Sequence, residues 1–340
     1  MQRSSICPAS IDGVKTRQTR DNHGKALRMT SSSLLPAARG PALHAGPARC
    51  VLDARAQLGE GALWSPRRQA LWWVDILSHR LFSWRPSDGE ALCWQFDEEV
   101  SAVAERRDGT GLMLALRRGM AHFDPEAPGT QPVYLHQPAG EPAGNRFNDG
   151  RCDRHGRFWA GSMDFDAREP TGHLYCYDEA GRCDRLLLGL RVTNGPAWSL
   201  DGRRMYVNDT VGRHVLACEV DPVSGPRVPL RPWLSFGAGD GHPDGMTVDA
   251  QGRLWIAHWG GGCVSAHDPD TGEELDRIAV PASQVTHCAF GGEDLRTLYI
   301  TTARVGLDEV ALHAEPLAGG LFAVSMNVAG LPAHAFGAPA

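Results

Sequence analysis

One short sentence is written six times along this chain. Two strands joined by a tight turn recur, with second-strand centres at "ALWWVD" (Trp72), "GLMLAL" (Met113), "RFWAGS" (Trp159), "RMYVND" (Tyr206), "RLWIAH" (Trp255) and "TLYITT" (Tyr299). A period in the forties built from strands is the mark of a β-propeller, one four-stranded blade per repeat. A third strand follows each copy, as in "RLFSWRP", "HLYCYDE" and "GLFAVSM", and turn signals such as "DRHG", "SLDG" and "DAQG" fall where hairpins need them. Sustained 3.6-residue apolar stripes are missing, so helices should play little part. The expected fold is therefore all-β, a six-bladed β-propeller over residues 49–340. The stretch "VLDARAQL" before the first blade is expected to supply the outer strand of the last, removing an open edge.

Residues 1–48 are different in kind. They show no periodicity, and residues 1–50 carry eight Lys and Arg against two acids. This segment reads as a disordered tail, or as coding sequence upstream of a start at Met29, in preference to an Arg/Ser-rich transit peptide. The remainder carries 26 basic against 38 acidic residues, a net charge near −12. So acidic a body is a poor partner for nucleic acid. No apolar run approaches the ~20 residues of a membrane span. Nine scattered cysteines without a CxxC pair argue for small hydrophobes in a reducing, cytoplasmic setting rather than disulfides or zinc thiolates.

Repeat equivalence also locates a site. Eleven or twelve residues before each anchor, at the start of the innermost strand, stand Glu60, Ser101, Asn148, Asn194, Asp244 and His287. These six positions converge on the channel axis at one face. Small neighbours in "EGA", "SAV", "NDG", "NGP" and "DGM" let backbones crowd there. Glu60, Asn194 and Asp244 offer hard oxygen donors for Ca²⁺, Mg²⁺ or Mn²⁺, with Zn²⁺ and Fe²⁺ also open. A hydrogen-bonded polar plug is the competing reading. Asp149 follows an axial residue and is expected to point off the axis by strand alternation, as a support or a rival base. His287 is expected to be satisfied by neighbouring backbone. Long loops "SMDFDAREPTGH" and "TTARVGLDEVALHAEPLAGG" are expected to roof the channel mouth.

"LGEGALW", "LWWVDI", "RFNDGRCDRHGRFWAGSM", "TNGPAWSLDGRRMYVND" and "PDGMTVDAQGRLWIAHWGGG", in this order, resemble the senescence-marker-protein/gluconolactonase/regucalcin family over about residues 51–337. The resemblance implies one divalent metal ion (Ca, Zn, Mn or Fe(II)) held by Glu60, Asn194 and Asp244. It implies substrate contacts from Arg146, Asn148 and Asp166, and hydrolysis of a sugar lactone such as gluconolactone, xylonolactone or arabinonolactone. Asp244 is the candidate to help deprotonate water. The alternatives are a non-catalytic calcium-binding regulator and a protein-binding scaffold. "GxSxG" is absent, which argues against a serine esterase.

Overall fold

The recurring phrase closes through one buried aspartate. In "DRHGRFW", Asp153 Oδ1 accepts from the His155 and Arg157 N–H groups at 2.9 and 3.0 Å, while Oδ2 accepts from Arg157 Nε at 2.7 Å and Trp159 Nε1 at 2.9 Å. In "DAQGRLW", Asp249 repeats the pattern with Gln251, Arg253 and Trp255. One carboxylate thus shapes the hairpin, neutralises an arginine and anchors the indole of the next strand. That explains why Asp, Arg and Trp recur together.

The structure, a computed structural model, describes residues 42–221 and 225–338. The hairpins assemble into six sheets, of which five have four strands and one has five. The innermost strands are Gly59–Ser65, Val100–Glu105, Asn145–Cys152, Thr193–Trp198, His242–Val248 and Val285–Gly291. Neighbouring innermost strands contact one another around the ring, and the sixth contacts the first. All six sequence anchors lie on second strands. The helix Glu309–Ala314 interrupts the long loop of blade six.

Apolar packing is divided among the gaps between blades. Six buried clusters occur, each drawing on two adjacent blades. Trp64 of blade one, for example, stacks on Tyr299 of blade six with ring centres 5.7 Å apart. Trp72, Trp73 and Trp255 are buried in these clusters as well.

Ring closure uses the segment before blade one, with a shift in boundary. The outer strand of blade six is His44–Leu52, pairing antiparallel with Leu321–Met326 from His44 opposite Met326 to Leu52 opposite Leu321. It overlaps "VLDARAQL" only at Val51 and Leu52, and it begins inside the stretch set apart as 1–48. Ala48 reaches the core on the strand's inner face, and Asp276 of blade five accepts from the Leu43 N–H at 2.6 Å. These few contacts carry no periodic signature in a Gly/Pro/Ala-rich sequence. The expectation for residues 1–41 falls outside the described residues.

Beyond the last strand the chain crosses the exit face, where the innermost strands end. Gly330 bridges Asp249, and Phe336 bridges Arg106 on the far side. Phe336 lies flat against Tyr177, with ring centres 5.9 Å apart. Gly156, at φ 78°, is where this strap docks: a Cβ there would meet the Gly337 carbonyl at 1.8 Å.

Blade five buries two histidines. His258 bonds the Asp240 carbonyl at 2.8 Å and Ser265 Oγ at 2.6 Å, and His267 continues the chain at 2.8 Å. Burial, with Arg277 nearby, pushes the His258 pKa down to about 4. In the unfolded chain an imidazole takes up its proton near about 6.5, so unfolding is coupled to proton uptake between these values. Stability present above that window is expected to fall as pH drops through it, by up to about 3 kcal/mol. Thermal unfolding at pH 7 and pH 5 measures it, with His258→Gln expected to reduce the pH dependence and the downshifted His287 and His267 to retain part of it.

Candidate active site

Every innermost strand carries a register shift at its axial position: Glu60/Leu63, Val100/Ala102, Phe147/Gly150, Asn194/Ala197, Pro243/Met246 and Val285/His287. Such a bulge re-aims side chains and breaks strict alternation. At this level the six blades crowd around the channel. Gly245 is pressed so closely on His287 that a Cβ would lie 2.2 Å from its ring.

Five of the expected residues are buried here. Glu60, Arg146, Asn148, Asn194 and Asp244 are each no more than 5 % exposed. A hydrogen-bond chain joins three of them. Arg146 Nη1 donates to Asn148 Oδ1 at 2.7 Å, and Asn148 Nδ2 donates to Asn194 Oδ1 at 2.9 Å. Asn194 Nδ2 then donates to Thr210 Oγ1 at 2.9 Å. Asp166 stands apart: its side chain is 60 % exposed, 3.8 Å from Arg168 on the loop after Phe158–Asp164. Its neighbour Phe165 does reach the site, lying under the guanidinium of Arg146 at 5.9 Å and that of Arg117 at 5.2 Å.

Asp149 is not turned away. Because of the bulge between Phe147 and Gly150, its carboxylate accepts from the Gly150 and Gly195 N–H groups at 2.7 Å each and lies 3.8 Å from His287. The alternation rule fails here because the strand is not regular. His287 also departs from expectation. Its Nε2 receives Arg151 Nη2 at 3.0 Å, and its Nδ1 has no partner among the described residues, so backbone does not satisfy it.

Electrostatics at the axis are one-sided. Burial first, then Asp244 and Asp149, push the Glu60 carboxyl well above its ordinary range. Asp244 is raised by burial and by Asp149, with Arg146 opposing. Burial lowers the Arg146 pKa to about 10, against the pull of Glu60, Glu99 and Asp244. Three buried carboxylates around one buried guanidinium leave an excess of negative charge, which a low-dielectric site tolerates only with a counter-charge or protons.

The donor set suits a hard cation. Glu60, Asp244 and Asn194 present oxygen only, and Asn208, opposite Asn194 in register, holds a buried Oδ1 without a partner. Asn208 Nδ2 donates to the Asp244 carbonyl, fixing that strand against blade four. Among the described residues no three His, Cys, Asp or Glu side chains form a metal-holding group; the set expected here is two carboxylates and an amide.

Sequence reading missed four contributors: Glu99, Arg117, Phe165 and Asn208. Buried Glu99 lies 3.3 Å from Arg117 and 3.7 Å from His79, forming a charged rim beside Arg146. Asn208 was findable, since it sits two residues after the anchor Tyr206. The others occupy loops and strand ends outside the axial register.

Every cysteine among the described residues is free. Within those residues no helix is long and apolar enough to cross a membrane.

Known proteins resemble this chain in sequence and in fold. An L-arabinolactonase from Azospirillum brasilense is 36 % identical, covering 86 % of this chain and 96 % of its own. A 6-deoxy-6-sulfogluconolactonase from Pseudomonas putida is 39 % identical, covering 83 % and 96 %. The crystal structure of a calcium-binding protein, regucalcin, from Agrobacterium tumefaciens superposes with a TM-score of 0.80 at 28 % identity, covering 86 % and 97 %. Residues 58–304 match the SMP-30/gluconolactonase/LRE-like region, and the chain belongs to that family.

Proposed function

We propose that the protein is a metal-assisted hydrolase of sugar lactones, opening an aldonolactone to its aldonic acid at the entry face of the channel. The observation that carries this reading is the surplus of buried carboxylate at Glu60 and Asp244 beside the Arg146–Asn148–Asn194 chain. A divalent cation held by Glu60, Asn194 and Asp244 would supply Lewis-acid polarisation of the lactone carbonyl and make water more acidic. The lactonase relatives support hydrolysis of a sugar lactone.

The chain's own groups take the remaining roles. Arg146 is held by Asn148 and by the Phe147 carbonyl at 2.9 Å, which leaves its buried Nε without a partner and able to donate to a substrate oxygen. Asn148 orients that guanidinium and meets a sugar hydroxyl. Asp166 approaches the substrate from the rim, on the turn that also carries Phe165. Asp244 is the better base of the two candidates. Both oxygens of Asp149 are engaged by backbone N–H groups, which ties it to a supporting role.

Assay of an aldonolactone panel with chelator and metal add-back tests the proposal. Hydrolysis is expected to fall at least ~10²-fold on chelation and to return with one or more of Ca²⁺, Zn²⁺, Mn²⁺ or Fe²⁺. Turnover indifferent to chelation overturns the metal. Cation binding without hydrolysis of any lactone would favour a calcium-binding regulator.

A further inference from the structure

The channel does not end at the carboxylates. Below them, between Glu60 and the exit face, lies a cavity of about 600 Å³. Its ceiling is His287, Gly61 and Gly150; its rim is Arg154, His155 and the strap residues Leu331–His334. This size suits a small organic molecule.

The two halves of the channel have opposite polarity. Asp153 is the only carboxylate lining the cavity, and it is consumed by Arg157, Trp159 and two backbone N–H groups. Arg151 and Arg154 also line it, and among the described residues neither forms an ion pair. Their only partners are the Met246 carbonyl and His287 for Arg151, and the Asp201 carbonyl for Arg154.

Three lining residues carry buried nitrogens with no partner among the described residues: Arg151 Nε, Trp64 Nε1 and His287 Nδ1. Trp64 is 4 % and His287 2 % exposed. The proton on His287 can be assigned by chemistry. A guanidinium only donates, so Nε2, which faces Arg151 Nη2 at 3.0 Å, must accept. The neutral ring therefore carries its hydrogen on Nδ1, the nitrogen without a partner. All three nitrogens are donors.

We propose that this cavity is a second ligand site, separate from the lactone site, that binds a small organic oxyanion through Arg151, Arg154, Trp64 and His287. A carboxylate and a phosphate group share the acceptor geometry these donors require. The strap from Gly330 to Phe336 forms the outer wall, so the ligand is held between blade interior and C-terminal segment.

Calorimetric titration of the full chain with inorganic phosphate, with gluconate and with neutral glucose tests this. Saturable binding of either anion is expected, weakened at least ~10-fold in Arg151→Gln and in Arg154→Ala. Trp64→Phe keeps the ring and removes one donor, and is expected to weaken binding about 3-fold or more. Asp244→Asn, which alters only the upper site, leaves the affinity in place. Phosphate binding alone marks the oxyanion as the whole determinant; gluconate binding displaced by phosphate marks a hydroxylated carboxylate. Absence of saturation by both anions up to ~10 mM overturns the site. So does equal binding of glucose, or affinity that follows Asp244 rather than Arg151 and Arg154. Arg154 is exposed, so its variant remains informative should Arg151→Gln misfold.

Discussion

Asp244→Ala is expected to abolish lactone hydrolysis, with kcat/KM down at least ~10³-fold and bound divalent metal lost with it. The substitution removes one of the two carboxylates that would share the proposed cation. Its effect on stability should run the other way. Asp244 is the foremost of the charged neighbours that raise the Glu60 carboxyl, after burial itself. Removing it relieves buried like-charge repulsion, so the melting temperature of metal-free protein should not fall. Metal analysis, steady-state kinetics and a melt in chelator read all three effects. Near-normal turnover would discard the site. Asn148→Ala is the informative contrast: it breaks the link from Arg146 to Asn194 and is expected to lower kcat/KM about 10- to 100-fold with metal content intact. Metal loss there would move Asn148 from substrate positioning to holding the ion.

Removing residues up to Leu52 is expected to be the most damaging change to the fold. It strips the outer strand from blade six and leaves Leu321–Met326 as a bare edge. It also takes Ala48 from the core and the Leu43 N–H from Asp276. A strand's worth of backbone bonds at about 1 kcal/mol each, with the lost burial, amounts to the order of 5 kcal/mol. Against a total stability of about 5–15 kcal/mol, that loss should yield aggregation or a much lower melting temperature. Removal of residues 1–41 alone spares the strand and is expected to leave the melt within a few degrees. Equal stability of both truncations would show that His44–Leu52 does not close the ring.

The propeller could be read from sequence because its signal is written six times, and in two of the copies Asp, Arg and Trp enforce the same hairpin. Blade equivalence also brought Glu60, Asn148, Asn194 and Asp244 to one level of the channel. Asp149 escaped because a bulge is invisible to a period-two argument. Glu99, Arg117 and Phe165 escaped because their approach to Arg146 depends on loop paths between blades. Asp166, chosen by resemblance, lies on an exposed turn, where side-chain position follows the loop rather than the strand.

The apolar material of this molecule is placed like spokes, in wedges between blades, while the hub holds polar groups. Substitutions at the hub consequently draw on a different reserve from those at the rim. Lineages built on such a wheel can rewrite their central chemistry one blade at a time, because the forces that keep the wheel round are stored elsewhere.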